Sequence, residues 1–144
     1  MSEITIYPYL KNKVVLITGG ASGIGETIVE NFLQQGSKVA FIDKENALGN
    51  NLVKKLINYD HQALFKEWDL TNIDNLKNTI LEIKKDLGPI SIVVNNAAND
   101  DRHDIDSVTP EYWDNRMHNN LRHYFFTVQL TYKDMKELGQ GSVV

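Results

Sequence analysis

The sequence predicts an α/β fold built on a doubly wound parallel sheet, and three observations carry that prediction. Val14 to Ile17 is an unbroken apolar run that passes directly into a glycine-rich turn and then a helical stretch, Glu26 to Gln35. A strand apolar on every residue belongs in the middle of a sheet covered on both faces. Apolar strand-like segments then alternate with amphipathic helical segments along the chain, as βα repeats do. Finally, 144 residues with 42% hydrophobic composition suffice for one globular domain with a substantial core.

Bulk chemistry narrows the field before any motif does. The formal net charge is −4, and the 15 basic residues form no cluster beyond the pairs Lys54-Lys55 and Lys84-Lys85. Nucleic acid is therefore not an expected partner. The absence of cysteine excludes disulfides and cysteine-based metal sites, and no metal site is assigned. The opening residues MSEITIYPYLKNK lack a basic start followed by an apolar core, and no apolar run approaches the length of a membrane span. A soluble cytoplasmic protein with no membrane partner is the expectation.

Residues 1–12 read as a short lead-in at the sheet edge. The first strand leads into Thr18-Gly19-Gly20-Ala21-Ser22-Gly23-Ile24-Gly25. Strand, glycine turn and helix together present backbone N–H groups and a helix N-terminus to a phosphate. Gln35-Gly36 ends the first helix, and Lys38 to Ile42 forms a second strand that ends on Asp43. A carboxylate there accepts hydrogen bonds from the hydroxyls of an adenosine ribose and repels a 2′-phosphate, which favours NAD over NADP. Asn46 to Asn58 is a second helix with Leu48, Leu52, Val53, Leu56 and Ile57 spaced for one face.

Ala63 to Trp68 is the third strand, followed by Asp69-Leu70-Thr71. Thr71 to Asp74 has the form of a capping box for the third helix, with Asp in place of the usual Glu. Leu76, Ile80, Ile83 and Leu87 give that helix its apolar face, and Gly88-Pro89 stops it. Ile90 to Val94 is a fourth, fully apolar strand ending in Asn95-Asn96-Ala97-Ala98. A charged loop, Asn99 to Asp106, follows; its His103 is read as a solvated side chain rather than an acid or base. Thr109-Pro110-Glu111 opens a long helix running to about Leu138, rich in aromatic residues. Ser142-Val143-Val144 begins a fifth strand.

The usual G-x-G-x-x-G fingerprint is absent. In its place stands T-G-x-x-x-G-I-G, and with Asp43, Asp69, the Asn95-Asn96-Ala97-Ala98 step and Asn119-Asn120-Leu121 in order, the chain resembles the short-chain dehydrogenase/reductase family. That resemblance implies a Rossmann-like sheet in the order 3-2-1-4-5, here cut off after the start of the fifth strand. On this reading residues 1–144 are an NAD(P)-binding domain incomplete at its C-terminus.

The resemblance also implies an NAD-dependent oxidoreductase that moves hydride between NAD and a small alcohol or carbonyl. Thr18, Gly19, Ala21, Ser22, Gly23, Ile24 and Gly25 would cradle the cofactor, and Asp69 and Leu70 would border its adenine. One of the two Asn would tether neighbouring strands, and Asn95, Asn96 and Ala97 would line the cofactor. Asn120 aligns with the catalytic Asn, thought to hold a water in a proton relay. The Asn95 to His103 run and the Asn120 to His123 step look most like members oxidising free sugars at the anomeric carbon.

The family's catalytic Ser and Tyr-x-x-x-Lys pair follow the fifth strand and do not occur here. Tyr7 to Lys11 and Tyr132 to Lys136 have the spacing but sit on the wrong elements. These residues alone are therefore expected to be inactive, and a homo-oligomer is expected of the full-length form. The alternative reading is a non-catalytic dinucleotide-binding module.

Overall fold

The computed structural model describes residues 5–144, so the first four residues of the expected lead-in lie outside it. Five parallel strands, β1 (Val14–Thr18), β2 (Lys38–Asp43), β3 (Leu64–Glu67), β4 (Ile92–Asn95) and β5 (Ser142–Val143), form one sheet in the order β3-β2-β1-β4-β5. The strands run parallel, as the sequence predicts, in the order that the family resemblance implies. The registers are continuous: Leu16 pairs with Ala40 on one side and with Val93 on the other.

Alternation along the strands divides the core in two. Val15, Ile17, Val39, Phe41, Ile92 and Val94 face α1 (Gly23–Gln34) and α2 (Asn46–Lys55), where Val29, Leu33, Leu52 and Leu56 meet them. Val14, Leu16, Ala40, Ile42 and Val93 face the other way. There they pack on Leu76, Ile80 and Ile83 of α3 (Leu76–Leu87) and on Phe126, Leu130 and Met135 of α5 (His123–Glu137). Both faces of β1 are thus covered, which is why all its residues are apolar up to Thr18.

Three local expectations are corrected. Helix α2 ends at Lys55, and Leu48 and Ile57 are exposed rather than part of its buried face. Five apolar residues between positions 48 and 57 span more of the helix circumference than two strands can cover. Thr71 does not cap α3. That helix starts at Leu76 after Asn75, while the Thr71 amide and hydroxyl both donate to Asp69 Oδ1, at 2.9 and 2.8 Å. The local Asx turn takes the Thr hydroxyl before a helix can use it.

The third correction concerns the long helix, which is interrupted. α4 (Pro110–Met117) and α5 are joined by a π-helical turn over His118–Arg122. The start of α4 is as expected, with Thr109 Oγ1 accepting from the Tyr112 amide at 3.2 Å. Within the described part of the lead-in, Pro8–Leu10 forms a 3-10 turn whose Leu10 packs against the α1/α2 core.

Candidate active site

The sheet order reverses between β1 and β4, and the crevice beyond the C-terminal ends of these strands is where doubly wound sheets hold ligands. A cleft of about 630 Å³ opens there. Its walls come from the glycine turn, the ends of β2 and β3, the loop after β4, and the π turn.

The glycine turn is built by backbone proximity. Gly19 has φ +68°, and a Cβ on it would lie 2.7 Å from Ala97 Cα. A Cβ on Gly25 would lie 1.9 Å from the Gly19 carbonyl oxygen, so only glycine allows α1 to begin this close to β1. Ser22 precedes the helix and its side chain makes no capping bond. The first-turn N–H groups of α1, on Gly23, Ile24 and Gly25, have no intrahelical acceptor, and all three residues line the cleft with Gly19 and Ser22. Free N–H groups and the positive end of the helix dipole together make an anion site.

Asp43 lines the cleft beside this turn. Its Oδ2 accepts from the Ala21 amide at 3.0 Å and its Oδ1 from the Glu45 amide at 3.1 Å. The carboxylate therefore also fixes the glycine turn to the end of β2, a structural duty the sequence does not reveal. Asp69 and Leu70 form the neighbouring wall. The hydrogen bonds from the Thr71 amide, then from its hydroxyl, hold the Asp69 carboxyl below its ordinary pKa, so it is an anion at neutral pH.

Across the cleft, the loop after β4 is stitched down by side chains. Thr18 Oγ1 accepts from the Asn96 and Ala97 amides at 3.0 and 3.1 Å. Asn96 Nδ2 donates back to the carbonyls of Thr18 and Gly19 at 3.2 and 2.9 Å. Asn96 is thus the tether, and it also lines the cleft with Ala97. Asn120, in the π turn, brackets Asn99: its Oδ1 accepts from the Asn99 amide at 2.7 Å and its Nδ2 donates to the Asn99 carbonyl at 2.9 Å. Tyr124 Oη donates to the Ala97 carbonyl at 3.1 Å.

Three residues expected to touch a cofactor lie behind the cleft surface instead. Thr18 is buried and turned onto the Asn96 loop, and Ala21 is buried with its amide on Asp43. Asn95 does not line the cleft; its amide donates to the Val144 carbonyl at 2.8 Å, and its buried Oδ1 is unpartnered. Nor does Asn120 line the cleft directly; its neighbour Asn119 does, together with His123. Sequence reasoning gave His123 no role of its own. The imidazole is 1% exposed, and burial, opposed in part by the nearby His118 backbone, pushes its pKa down, so it is neutral. The only sequence signal for it was the Asn120 to His123 step. His103 stands outside the cleft, with its Nδ1 3.0 Å from Tyr112 Oη. Tyr7 and Tyr132 are exposed and do not line the cleft.

Fold and site together define a doubly wound α/β domain with an uncapped helix N-terminus open to the cleft at its switch point and an acidic residue at the end of the second strand. The sequence matches the short chain dehydrogenase family over residues 13–144, and the chain belongs to that family.

Among curated proteins it is 41% identical over 139 residues to D-xylose 1-dehydrogenase of Caulobacter vibrioides, a match covering 96% of this chain and 54% of that protein. It is 40% identical over 139 residues to a probable galactose dehydrogenase of Rhizobium meliloti, with the same coverage of both chains. An NAD-dependent glycerol dehydrogenase of Listeria innocua is 31% identical over 94% of this chain and 52% of its own length. Among solved structures, the crystal structure of gox2181 superposes with a TM-score of 0.85 at 25% identity, covering 92% of this chain and 52% of that one. The chain spans about half the length of the curated relatives it matches.

Among the described residues no helix is long and apolar enough to cross a membrane.

Proposed function

We propose that this chain is the cofactor-binding part of a cytoplasmic, NAD-dependent dehydrogenase whose substrate is a small sugar or related alcohol, oxidised at a carbon bearing a hydroxyl group. The observation that carries the reading is the meeting of two features in one cleft. The free N–H groups of Gly23, Ile24 and Gly25 suit a pyrophosphate, and the Asp43 carboxylate in the same cleft suits the hydroxyls of an adjoining ribose. Glycines at 19 and 25 leave room that a Cβ would fill.

The residues divide by task. Gly19, Ser22, Gly23, Ile24 and Gly25 take the phosphates. Asp43 accepts from the adenosine ribose hydroxyls and disfavours a 2′-phosphate by charge repulsion, so NAD is preferred to NADP. Asp69 and Leu70 border the adenine. Asn96 and Ala97 form the wall on the nicotinamide side. Thr18, Ala21 and Asn95 act from behind, holding these walls in place. The cofactor, when bound, supplies the hydride acceptor. Asn120 belongs to the reacting end, its amide held in one orientation by Asn99.

The likeness to sugar dehydrogenases at about 40% identity supports an aldose as substrate, oxidised at its anomeric carbon. Among the described residues no Tyr–Lys pair lines the cleft, and this chain alone is expected to be inactive. Trp113, Met117, Leu121 and Phe125 form an exposed apolar stripe at four-residue spacing along α4, the π turn and α5. Such a stripe supports a homo-oligomeric form of the intact protein.

The test is an assay of the intact protein with NAD and a panel of aldoses, glycerol and simple secondary alcohols, following NADH absorbance. Turnover of at least one aldose is expected. Turnover of simple alcohols without any aldose would contradict the sugar reading, and no NAD reduction with any substrate would favour a non-catalytic binding module.

A further inference from the structure

The loop after β4 carries a second set of contacts, outside the cleft, that no sequence motif announces. Arg116 of α4 reaches over it. Its Nη1 donates to the Asn99 carbonyl at 3.3 Å, and its Nη2 donates to Asp101 Oδ2 at 3.1 Å. The Asn99 carbonyl is the same oxygen that accepts from Asn120 Nδ2, so Arg116 and Asn120 hold one acceptor from two sides. The guanidinium also lies over the Tyr112 ring, 4.7 Å from its centroid. Tyr112 Oη in turn contacts the Asp101 carbonyl at 3.4 Å and His103 Nδ1 at 3.0 Å.

The partners differ in exposure: the Arg116 side chain is 14% exposed and that of Asp101 is 72%. An exposed ion pair contributes little to stability. A planar guanidinium lodged against a ring and bonded to two points of one loop does something different, which is to fix that loop's position. Arg116 beside Asp101 also holds the Asp101 carboxyl below its ordinary range.

We propose that Arg116 is a positioning residue: with Asp101 and Tyr112 it clamps the loop at Asn99 onto the π turn, and through the Asn99 carbonyl it sets the orientation of Asn120 at the reacting end of the cleft. Its functional consequence rests on the cofactor reading above, because Asn96 to Asp100 form the wall against which the nicotinamide half would lie. The glycine turn and Asp43 lie outside its reach, so the adenosine half is untouched. Lysine replaces it only in part: its ammonium has three N–H donors but lacks the planar fork that reaches both acceptors while lying over the Tyr112 ring.

The test uses the intact protein, with Arg116→Met, Arg116→Lys and Asp101→Asn variants and two readouts. The first is hydrogen exchange at the Asn99 amide, which donates to Asn120 Oδ1. Its rate is expected to rise about tenfold in Arg116→Met, less in Arg116→Lys, and about two- to threefold in Asp101→Asn, whose exposed side chain cannot compromise folding. The second is calorimetric affinity for NADH and for ADP. Arg116→Met should weaken NADH about fivefold and leave ADP unchanged, with partial recovery in Arg116→Lys.

Unchanged Asn99 exchange in Arg116→Met overturns the clamp. Equal losses of NADH and ADP affinity overturn it too, by showing a general loosening of the domain. If the unmodified protein binds neither nucleotide, the cofactor reading falls, and the exchange readout alone decides whether the clamp exists.

Discussion

The two ends of the cleft are built in different ways. At the Asp43 end the architecture is local and made of backbone: a glycine turn, the open first turn of α1, and one carboxylate that ties Ala21 to the end of β2. At the Asn99 end it is assembled from side chains far apart in sequence, with Asn120 on Asn99, Tyr124 on Ala97 and Arg116 on Asn99 and Asp101. A backbone-built site is intolerant of added atoms. A side-chain-built site loses one hydrogen bond at a time.

The sharpest break of that comparison is Gly25→Ala. The new methyl would lie 1.9 Å from the Gly19 carbonyl oxygen, and neither partner is a flexible side-chain end. A loss of about 3 kcal/mol in stability is expected, with loss of NADH binding. Thermal unfolding and nucleotide titration read both effects, and a variant that melts and binds like the parent would show that α1 can draw back.

Asp43→Ala comes next. It removes an anionic acceptor and the repulsion of a 2′-phosphate together, so the preference for NADH over NADPH should narrow about ten- to hundredfold. Comparative titrations of the two nucleotides measure it. An unchanged ratio would relocate the choice of cofactor to another residue.

At the other end, Asn120→Ala should cost about 1–2 kcal/mol by denaturant unfolding, because it strips both bonds from the Asn99 main chain. It should leave ADP affinity as it was. A loss of ADP binding would mean that the two ends are not independent.

The smallest effect concerns His123, whose pKa burial pushes below its ordinary value of 6.5. Above that value the imidazole is neutral in both folded and unfolded chains, and pH is without effect through this group. As pH falls below it, the unfolded chain takes up a proton that the native state does not, so stability declines until the native imidazole also titrates. Denaturant unfolding at pH 7 and 5.5 should show a decline that His123→Gln reduces. An equal decline in the variant would assign the slope to other groups.

The same contrast decides what was legible in the sequence. The strands themselves, the glycine turn and the place of Asp43 could be read because each depends on neighbours within a few positions or on a simple residue period, whereas the strand order came from the family resemblance. Gly25 follows from the turn that contains it. The π turn could not be read, since His118 to Arg122 has ordinary helical composition and nothing in it marks a break. No motif marks Arg116 or Tyr124, because their partners lie 17 and 27 residues away. Thr71 was misread as a helix cap because a capping box and an Asx turn use the same residue types, and only the start of α3 at Leu76 separates them.

The central claim is that the cleft at the β1/β4 switch point is a dinucleotide site in which Asp43 selects the ribose. Parallel calorimetric titrations of the protein with NADH and NADPH test it most directly. Saturable binding of one NADH per chain, at least about tenfold tighter than NADPH, is the predicted result. Equal affinity for the two nucleotides, or no binding of either, would contradict it.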